Sequence, residues 1–353
     1  MTARMILYAP NVHTGGGVVL LRALLAEWPG VKPLFAYLDI RAKPLLPVPT
    51  GASVRWVEPS IVSRVRAGWE LSRLGKLGDT IFCFHGLPPM LRSRGRIVVF
   101  LQNRLYLSEG SASLLSLRPT AVRLEVERRI GRLCRQRVSE YIVQTPSMAR
   151  DLTRWLGGPQ NGAPAVRVLP FLADLTTCPA STSAVAEWDF VYVADGVTHK
   201  NHRTLVQAWR LLAQEGLRPS LALTLSARDG ELRREIEQSA AQLNLRITDL
   251  GQMSHEEVLT LYGKSKAMVF PSSAESFGLP LIEATHAGLP ILAPELDYVR
   301  DVCMPTETFD AASPVSIARA VKRFLGVPEH PLKIRTPSAF WSQLLSDEKK
   351  EAP

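Results

Sequence analysis

Short apolar runs of strand length alternate with helical stretches along almost the whole chain, and the alternation comes in two blocks. In the first block the strand candidates are Met5–Ala9, Pro33–Leu38, Val54–Val57, Thr80–Phe84, Ile97–Leu101, Glu140–Gln144 and Val166–Leu169. Between them lie helix candidates, including Val18–Trp28, Ser60–Leu74, Leu114–Arg137 and Ser147–Leu156. Several of the strands are nearly continuous apolar runs, as parallel strands covered on both faces should be. The spacing therefore predicts α/β architecture with a doubly wound parallel sheet.

The pattern breaks at residues 173–187, a stretch rich in Thr, Ser, Ala and Pro that reads as a linker. A second alternation follows. Its strands are expected at Phe190–Ala194, Leu221–Leu225, Arg246–Thr248, Ala267–Phe270 and Ile291–Ala293. Its helices are expected at Asn201–Gln214, Gly230–Leu243, Glu256–Lys264, Leu281–Ala287 and Pro314–Leu325, and Ser254 followed by Glu257 forms a capping box. The expected division is residues 1–172, a linker at 173–187, residues 188–330, and a tail at 331–353 with a last helix at Ser338–Leu345 that packs back toward the first domain. Two such sheets face each other across a cleft at their carboxyl strand ends, the usual ligand site of doubly wound folds.

Composition narrows the class. The 353 residues are 46% hydrophobic and 21% charged, ordinary for a globular protein. No run of 18 apolar residues appears, and Val18–Trp28 is interrupted by Arg22 and Glu27, so a membrane-spanning helix is not expected. Met1–Ala9 reads as a first strand rather than a signal peptide. Cys83, Cys134, Cys178 and Cys303 are far apart and form no C-x-x-C pair, which argues against a zinc site or disulfide framework and for a reducing cytoplasm. The charge of +9 is uneven: through residue 175 there are 24 Lys or Arg against 11 Asp or Glu, and beyond it 18 against 22. The first half is thus expected to face something anionic, a membrane surface or an acidic acceptor. No nucleic-acid-binding signature accompanies the charge, so nucleic acid is not an expected partner.

The chemistry concentrates in residues 266–290. Ala267–Phe270 is a buried strand, residues 271–279 form the loop at its carboxyl end, and Pro280 suits a first helical turn. Strand, loop and helix start aim backbone N–H groups and the positive helix end at one spot, a site for a diphosphate. Glu275 in the loop and Glu283 in the first helical turn flank it, and carboxylates accept paired hydrogen bonds from sugar diols. The bland alternative makes Glu283 a partner of the helix dipole and Glu275 a solvated loop acid. A second strand, loop and helix start at 191–202 carries Lys200, with Asn201 and His202 placed to cap the helix that follows. Lys200 would neutralise charge on a departing diphosphate, against the alternative of an exposed lysine at a helix cap.

The stretch from Glu275 through Gly278-Leu279-Pro280 to Glu283-Ala284 resembles the E-x7-E signature of retaining glycosyltransferases of the GT-B fold, the large family 4. Asp249–Val258 ahead of it and Ala287–Ala293 behind match as well, and the resemblance covers about residues 189–325. It implies that Glu275 contacts the donor sugar, that Glu283 holds the nucleotide ribose, and that Ser276, Phe277, Gly278 and Leu279 hold phosphate together with Lys200. Glu275 and Lys200 become the catalytic candidates, and the donor a GDP-, UDP- or dTDP-linked sugar with no separate cofactor. Many members carry an arginine a few residues before the lysine, where this chain has Asp195.

The amino-terminal half of the cleft is less specific. His13-Thr14-Gly15-Gly16-Gly17 follows the first strand and resembles the family's Gly-Gly turn near the diphosphate, with Gly16 against phosphate. His13, His85, Asn103 and Arg104 are the candidates for acceptor or donor-sugar contact. Members often have a histidine where this chain has Gln102-Asn103. No D-x-D triad occurs, so the resemblance points to a metal-independent hexosyl or deoxyhexosyl transfer onto a glycan or lipid-linked acceptor, in bacterial surface polysaccharide assembly. The basic helix Leu114–Arg137 is the expected contact with an anionic membrane, placing the protein in the cytoplasm or peripherally at the inner face of the plasma membrane. The competing readings are an NAD-dependent oxidoreductase, a non-catalytic sugar-nucleotide-binding protein, and a GT-B epimerase.

Overall fold

The computed structural model describes residues 3–107, 119–158, 163–172 and 186–328. The expected linker lies almost wholly outside these residues. The tail beyond 330, with its helix at Ser338–Leu345, and the first residues of the expected Leu114–Arg137 helix also lie outside them.

Two parallel sheets form. The first takes β1 (Met5–Ala9), β2 (Leu34–Asp39), β3 (Ser53–Val57), β4 (Thr80–Cys83), β5 (Arg96–Phe100), β6 (Glu140–Val143) and β7 (Ala165–Val168), in the order β3-β2-β1-β4-β5-β6-β7. The connecting helices are α1 (Gly15–Ala26), α2 (Ile61–Leu74), α3 (Pro119–Cys134) and α4 (Pro146–Leu156). The second takes β8 (Trp188–Tyr192), β9 (Leu221–Leu223), β10 (Ile247–Asp249), β11 (Ser265–Val269), β12 (Ile291–Pro294) and β13 (Glu307–Phe309), in the order β10-β9-β8-β11-β12-β13. Its helices are α5 (His202–Gln214), α6 (Gly230–Leu243), α7 (His255–Gly263), α8 (Leu279–His286), the short α9 (Asp297–Arg300) and α10 (Pro314–Phe324).

Each order reverses direction beside its first strand, so a crevice opens at the carboxyl ends of β1 and β4 and again at those of β8 and β11. Strand pairing is parallel throughout both sheets, which accounts for the apolar runs: β6 is buried at every position, and so is β9. Right-handed crossovers put α1 on one face of the first sheet and α2, α3 and α4 on the other. Ala67 and Leu71 of α2 accordingly share a core with Met148 and Leu152 of α4. In the second domain Trp209 of α5 meets Phe190 edge to face, and its indole N–H donates to the carbonyl of Pro219 at 2.9 Å, so the large ring is buried with its polar atom satisfied.

Helix ends follow the expected chemistry in most places. Ser254 and Glu257 exchange hydrogen bonds as a capping box, and Ser60, Thr145 and Ser313 each accept from an amide of the first turn. Asn201 departs from the expectation. It stands at the N-cap of α5 with φ 63°, and its side chain makes no cap hydrogen bond to the helix backbone. Asparagine tolerates this left-handed conformation, which swings its amide away from the helix: Nδ2 donates to the carbonyls of Pro271 and Ala311 at 3.2 and 2.6 Å. His202, read as a second capping residue, is the first residue of α5 and is buried against Tyr192, with ring centroids 4.8 Å apart.

The domains touch directly. The amide of Ser147 at the start of α4 donates to Asp301 Oδ2 at 2.8 Å, and the amide of Arg104 donates to Ser276 Oγ at 2.8 Å. Leu279 packs with the core of the first domain around α1.

Candidate active site

Lys200 and Glu275 are 75 residues apart in sequence, yet Nζ lies 2.6 Å from Oε1. Lys200 ends the turn after β8, and Glu275 sits in the loop after β11, the strand paired beside β8. The two loops are bonded to each other. The amide of Ser273 donates to the carbonyl of His199 at 2.8 Å, and Ser273 Oγ reaches the same carbonyl at 3.2 Å. Below them Tyr192 donates its hydroxyl to the carbonyl of Lys200, and Tyr298 donates to that of Ser272, both at 2.6 Å. Both tyrosines are fully buried, so these bonds form away from solvent competition. The charged pair is itself mostly covered, with side chains 16% and 11% exposed, and each charge is held by the other.

Helix α8 starts immediately after this loop. Gly278 adopts φ +73°, a conformation that disfavours any Cβ, and Pro280 stands in the first turn. The helix therefore opens two residues earlier than its apolar pattern indicated, and Glu283 falls in its second turn rather than its first. The N–H groups of Phe277, Gly278 and Leu279 precede the helical ladder, whereas Pro280 has none and those of Leu281 and Ile282 donate to the carbonyl of Gly278.

Glu283 is 7% exposed. Tyr262 of α7 donates its hydroxyl to Oε2 at 3.2 Å, and His255 Nδ1 lies 3.5 Å from Oε1. Burial pushes the carboxyl up to about 7, against a smaller opposite effect of the tyrosine bond. A carboxyl so placed is poised between its two protonation states near neutrality. His255 and Tyr262 were not singled out from sequence. The available signal was their seven-residue spacing on α7, two turns along one face, directly after the recognised Ser254 cap.

The first domain supplies Gly16. A Cβ there would lie 2.7 Å from Leu279 Cδ1, so the glycine turn lies directly against the Leu279 side chain at the start of α8. Gly15 to Gly17 form the first turn of α1 rather than a loop ahead of it. His13 bends back on its own loop, with Nδ1 donating to the carbonyl of Asn11 at 3.2 Å and lying 3.9 Å from Asp39. His85 Nδ1 donates to the carbonyl of Tyr8 at 3.2 Å, and burial pushes its ring down to about 4, so it stays neutral. Gln102 Nε2 donates to the carbonyl of Phe84 at 2.6 Å, and Asn103 caps the turn of residues 104–106. Arg104 touches the Glu275 loop through its backbone, while its guanidinium pairs with Asp151 at 2.5 Å. The structure thus joins Gly16 and Arg104 to the Glu275 loop and ties His13, His85 and Asn103 to their own surroundings. A groove of about 1420 Å³ between α1 and α7 is lined by Ser254 and His255 on one side and by Arg22 and Glu27 on the other. Lys200 and Glu275 are not among its lining residues.

Residues 179–337 match the family model described as "Glycosyl transferases group 1". The matched stretch is the second domain and the residues just around it, less than half of the chain. A stretch of 101 residues is 33% identical to the serotype-specific mannosyltransferase WbdA of Escherichia coli, covering 28% of this chain and 12% of that protein. O-antigen chain mannosyltransferase B of the same organism is 31% identical over 116 residues, 32% of this chain and 30% of its own length. The matches thus span less than a third of these curated relatives. Among solved structures, HepE of Anabaena in complex with UDP and glucose superposes with a TM-score of 0.65 at 15% identity, covering 92% of this chain and 90% of that one. Sucrose-phosphate synthase from Thermosynechococcus elongatus gives 0.66 at 18%, with 92% and 90% covered. Identities this low speak for the fold alone, and that fold is GT-B. The matched residues include the Lys200 turn, the Glu275 loop and α8.

Proposed function

We propose that this protein transfers a hexose or deoxyhexose from a nucleotide-diphosphate sugar to a hydroxyl of a glycan or lipid-linked acceptor in surface polysaccharide assembly, with retention at the anomeric carbon and without a metal ion. The observation that carries the reading is the Lys200–Glu275 pair at 2.6 Å, whose glutamate sits in the loop that leads through Ser276–Gly278 into α8. A diphosphate entering there takes over Lys200 and the amides of residues 277–279, and this releases Glu275 to accept from sugar hydroxyls. Glu283 accepts from the ribose diol.

The leaving diphosphate gains negative charge as the bond to C1 breaks, and Lys200 and the amides, already oriented, stabilise it without reorganising. The acceptor hydroxyl attacks C1 from the face the leaving group departs, passing its proton to a phosphate oxygen. Retention and family 4 membership rest on the E-x7-E resemblance. Mannose is the first donor sugar to test, because the curated relatives are named mannosyltransferases. A binding-only protein is the second reading, favoured by Asp195 in place of the family's arginine and by Gln102 in place of its histidine.

Thermal shift against UDP, GDP, ADP and NAD separates the classes, followed by product analysis with the matching sugar nucleotide. Stabilisation by one nucleoside diphosphate and transfer of its sugar are expected. Stabilisation by NAD alone overturns the reading, and tight sugar-nucleotide binding without turnover selects the binding-only one.

A further inference from the structure

Helix α2 breaks the rule that a surface helix turns its apolar side inward. Ala67 and Leu71 are buried, as expected. Yet Ile61 is 81% exposed, Val62 78%, Val65 61% and Trp69 45%. Val62 and Leu71 are nine residues apart, which at about 100° per residue puts them on opposite sides of the helix. The outward stripe is therefore a second apolar face, and β-branched residues and a tryptophan are costly to leave in water without a purpose.

The stripe is continuous with a basic rim. The Arg73 guanidinium lies 3.7 Å from the centre of the Trp69 ring, and Arg66 and Lys76 are exposed on the same helix and just past its end. The acid in this stretch, Glu70, is already neutralised by Arg55 at 3.0 Å and Arg66 at 3.3 Å. The loop between β4 and β5 carries exposed Met90 and Leu91 and is tied to both neighbours: Ser93 Oγ bonds the carbonyl of Gly75 after α2, and Arg137 bonds the carbonyl of Met90. Beyond it α3 adds Val126 and Leu133, 50% and 80% exposed, with Arg129 and Arg132. Between residues 60 and 137 the sequence holds 15 Lys or Arg against 5 Asp or Glu.

We propose that this face, led by α2, docks the amino-terminal domain on an anionic lipid bilayer. Apolar side chains that enter the acyl boundary, an interfacial tryptophan and a surrounding ring of arginines are the combined signals that hold a protein reversibly at such a surface. A second copy of the chain would bring one basic rim against another, which charge disfavours. Sequence alone assigned the contact to Leu114–Arg137. The structure moves its centre to α2, because α3 turns Arg128 inward, where Nε donates to the carbonyl of Leu105 at 2.9 Å. The docking face is independent of the transfer chemistry.

The test is flotation of the full chain with vesicles of phosphatidylcholine alone or with about a third phosphatidylglycerol, for wild type, Val62→Asp/Val65→Asp, and Arg129→Glu/Arg132→Glu. Wild type should float with the anionic vesicles only and be released by high salt. The α2 double variant should lose binding about tenfold or more with an unchanged Tm, and the α3 variant should lose less. No flotation of wild type, or equal flotation of the α2 variant, overturns the proposal. So does a dimer in light scattering that the α2 variant splits, which makes the stripe a self-interface. A Tm that falls by many degrees in the α2 variant also overturns it, because the stripe would then be packed against the chain itself.

Discussion

Replacing Glu283 with glutamine should stabilise the fold and weaken the donor site at once. The carboxyl is 7% exposed and burial raises it from 4.5 to about 7. A shift of that size is worth roughly 3 kcal/mol. Below pH 4.5 the group is protonated in both folded and unfolded chains and contributes nothing. Above about 7 it is ionised in both, and the folded state alone bears the cost of a buried charge. Stability therefore falls as pH rises across that window, and Glu283→Gln removes the fall while still accepting the hydroxyl bond from Tyr262. At pH 8 the variant should melt several degrees above wild type, at roughly 2–4 °C per kcal/mol, and at pH 4.5 the two should nearly coincide. The same change deletes the proposed charged acceptor for the ribose, worth about 1.5–3 kcal/mol, so donor KM should rise about tenfold to a hundredfold. Melting curves at both pH values with donor titrations check this. A variant no more stable than wild type at pH 8, or one that keeps the wild-type donor KM, refutes the reasoning.

Gly16→Val should raise donor KM about tenfold or more by pushing Leu279 and the start of α8 out of place, and adding Leu279→Ala should restore much of it; steady-state kinetics of the double-mutant cycle reads the coupling. Asp301→Ala leaves the Ser147 amide without its acceptor across the domain boundary, at a cost of about 1 kcal/mol, and should give a more open molecule by small-angle scattering. The exposed Arg150–Asp297 pair at the same boundary should show no such effect when Arg150 is replaced by alanine. Excess EDTA should leave the transfer rate unchanged if, as proposed, Lys200 and the amides of residues 277–279 rather than a metal neutralise the leaving diphosphate.

Most strands were legible because parallel strands buried on both faces leave short apolar runs bounded by turn residues, and most helices because the stretches between those runs are of helix length. What was missed is short or set by contact. β13 has three residues and α9 four, too few for a period to register. α1 starts at Gly15, in a run of three glycines whose low helix propensity hides a helix start from the local pattern. In the site, Glu275 and Lys200 were each legible from a strand-loop-helix setting, but their pairing needed β8 and β11 to be neighbours. The burial of Glu283 beneath Tyr262 and His255 depends on how α7 packs against α8, and sequence spacing carries that only once the packing is known.

The central claim is that Lys200 and Glu275 form the donor site, and transfer kinetics with the matching nucleotide sugar test it most directly. Glu275→Gln and Lys200→Ala should each lower kcat by about a hundredfold or more while the fold persists. Folded variants that retain the wild-type kcat would contradict the account.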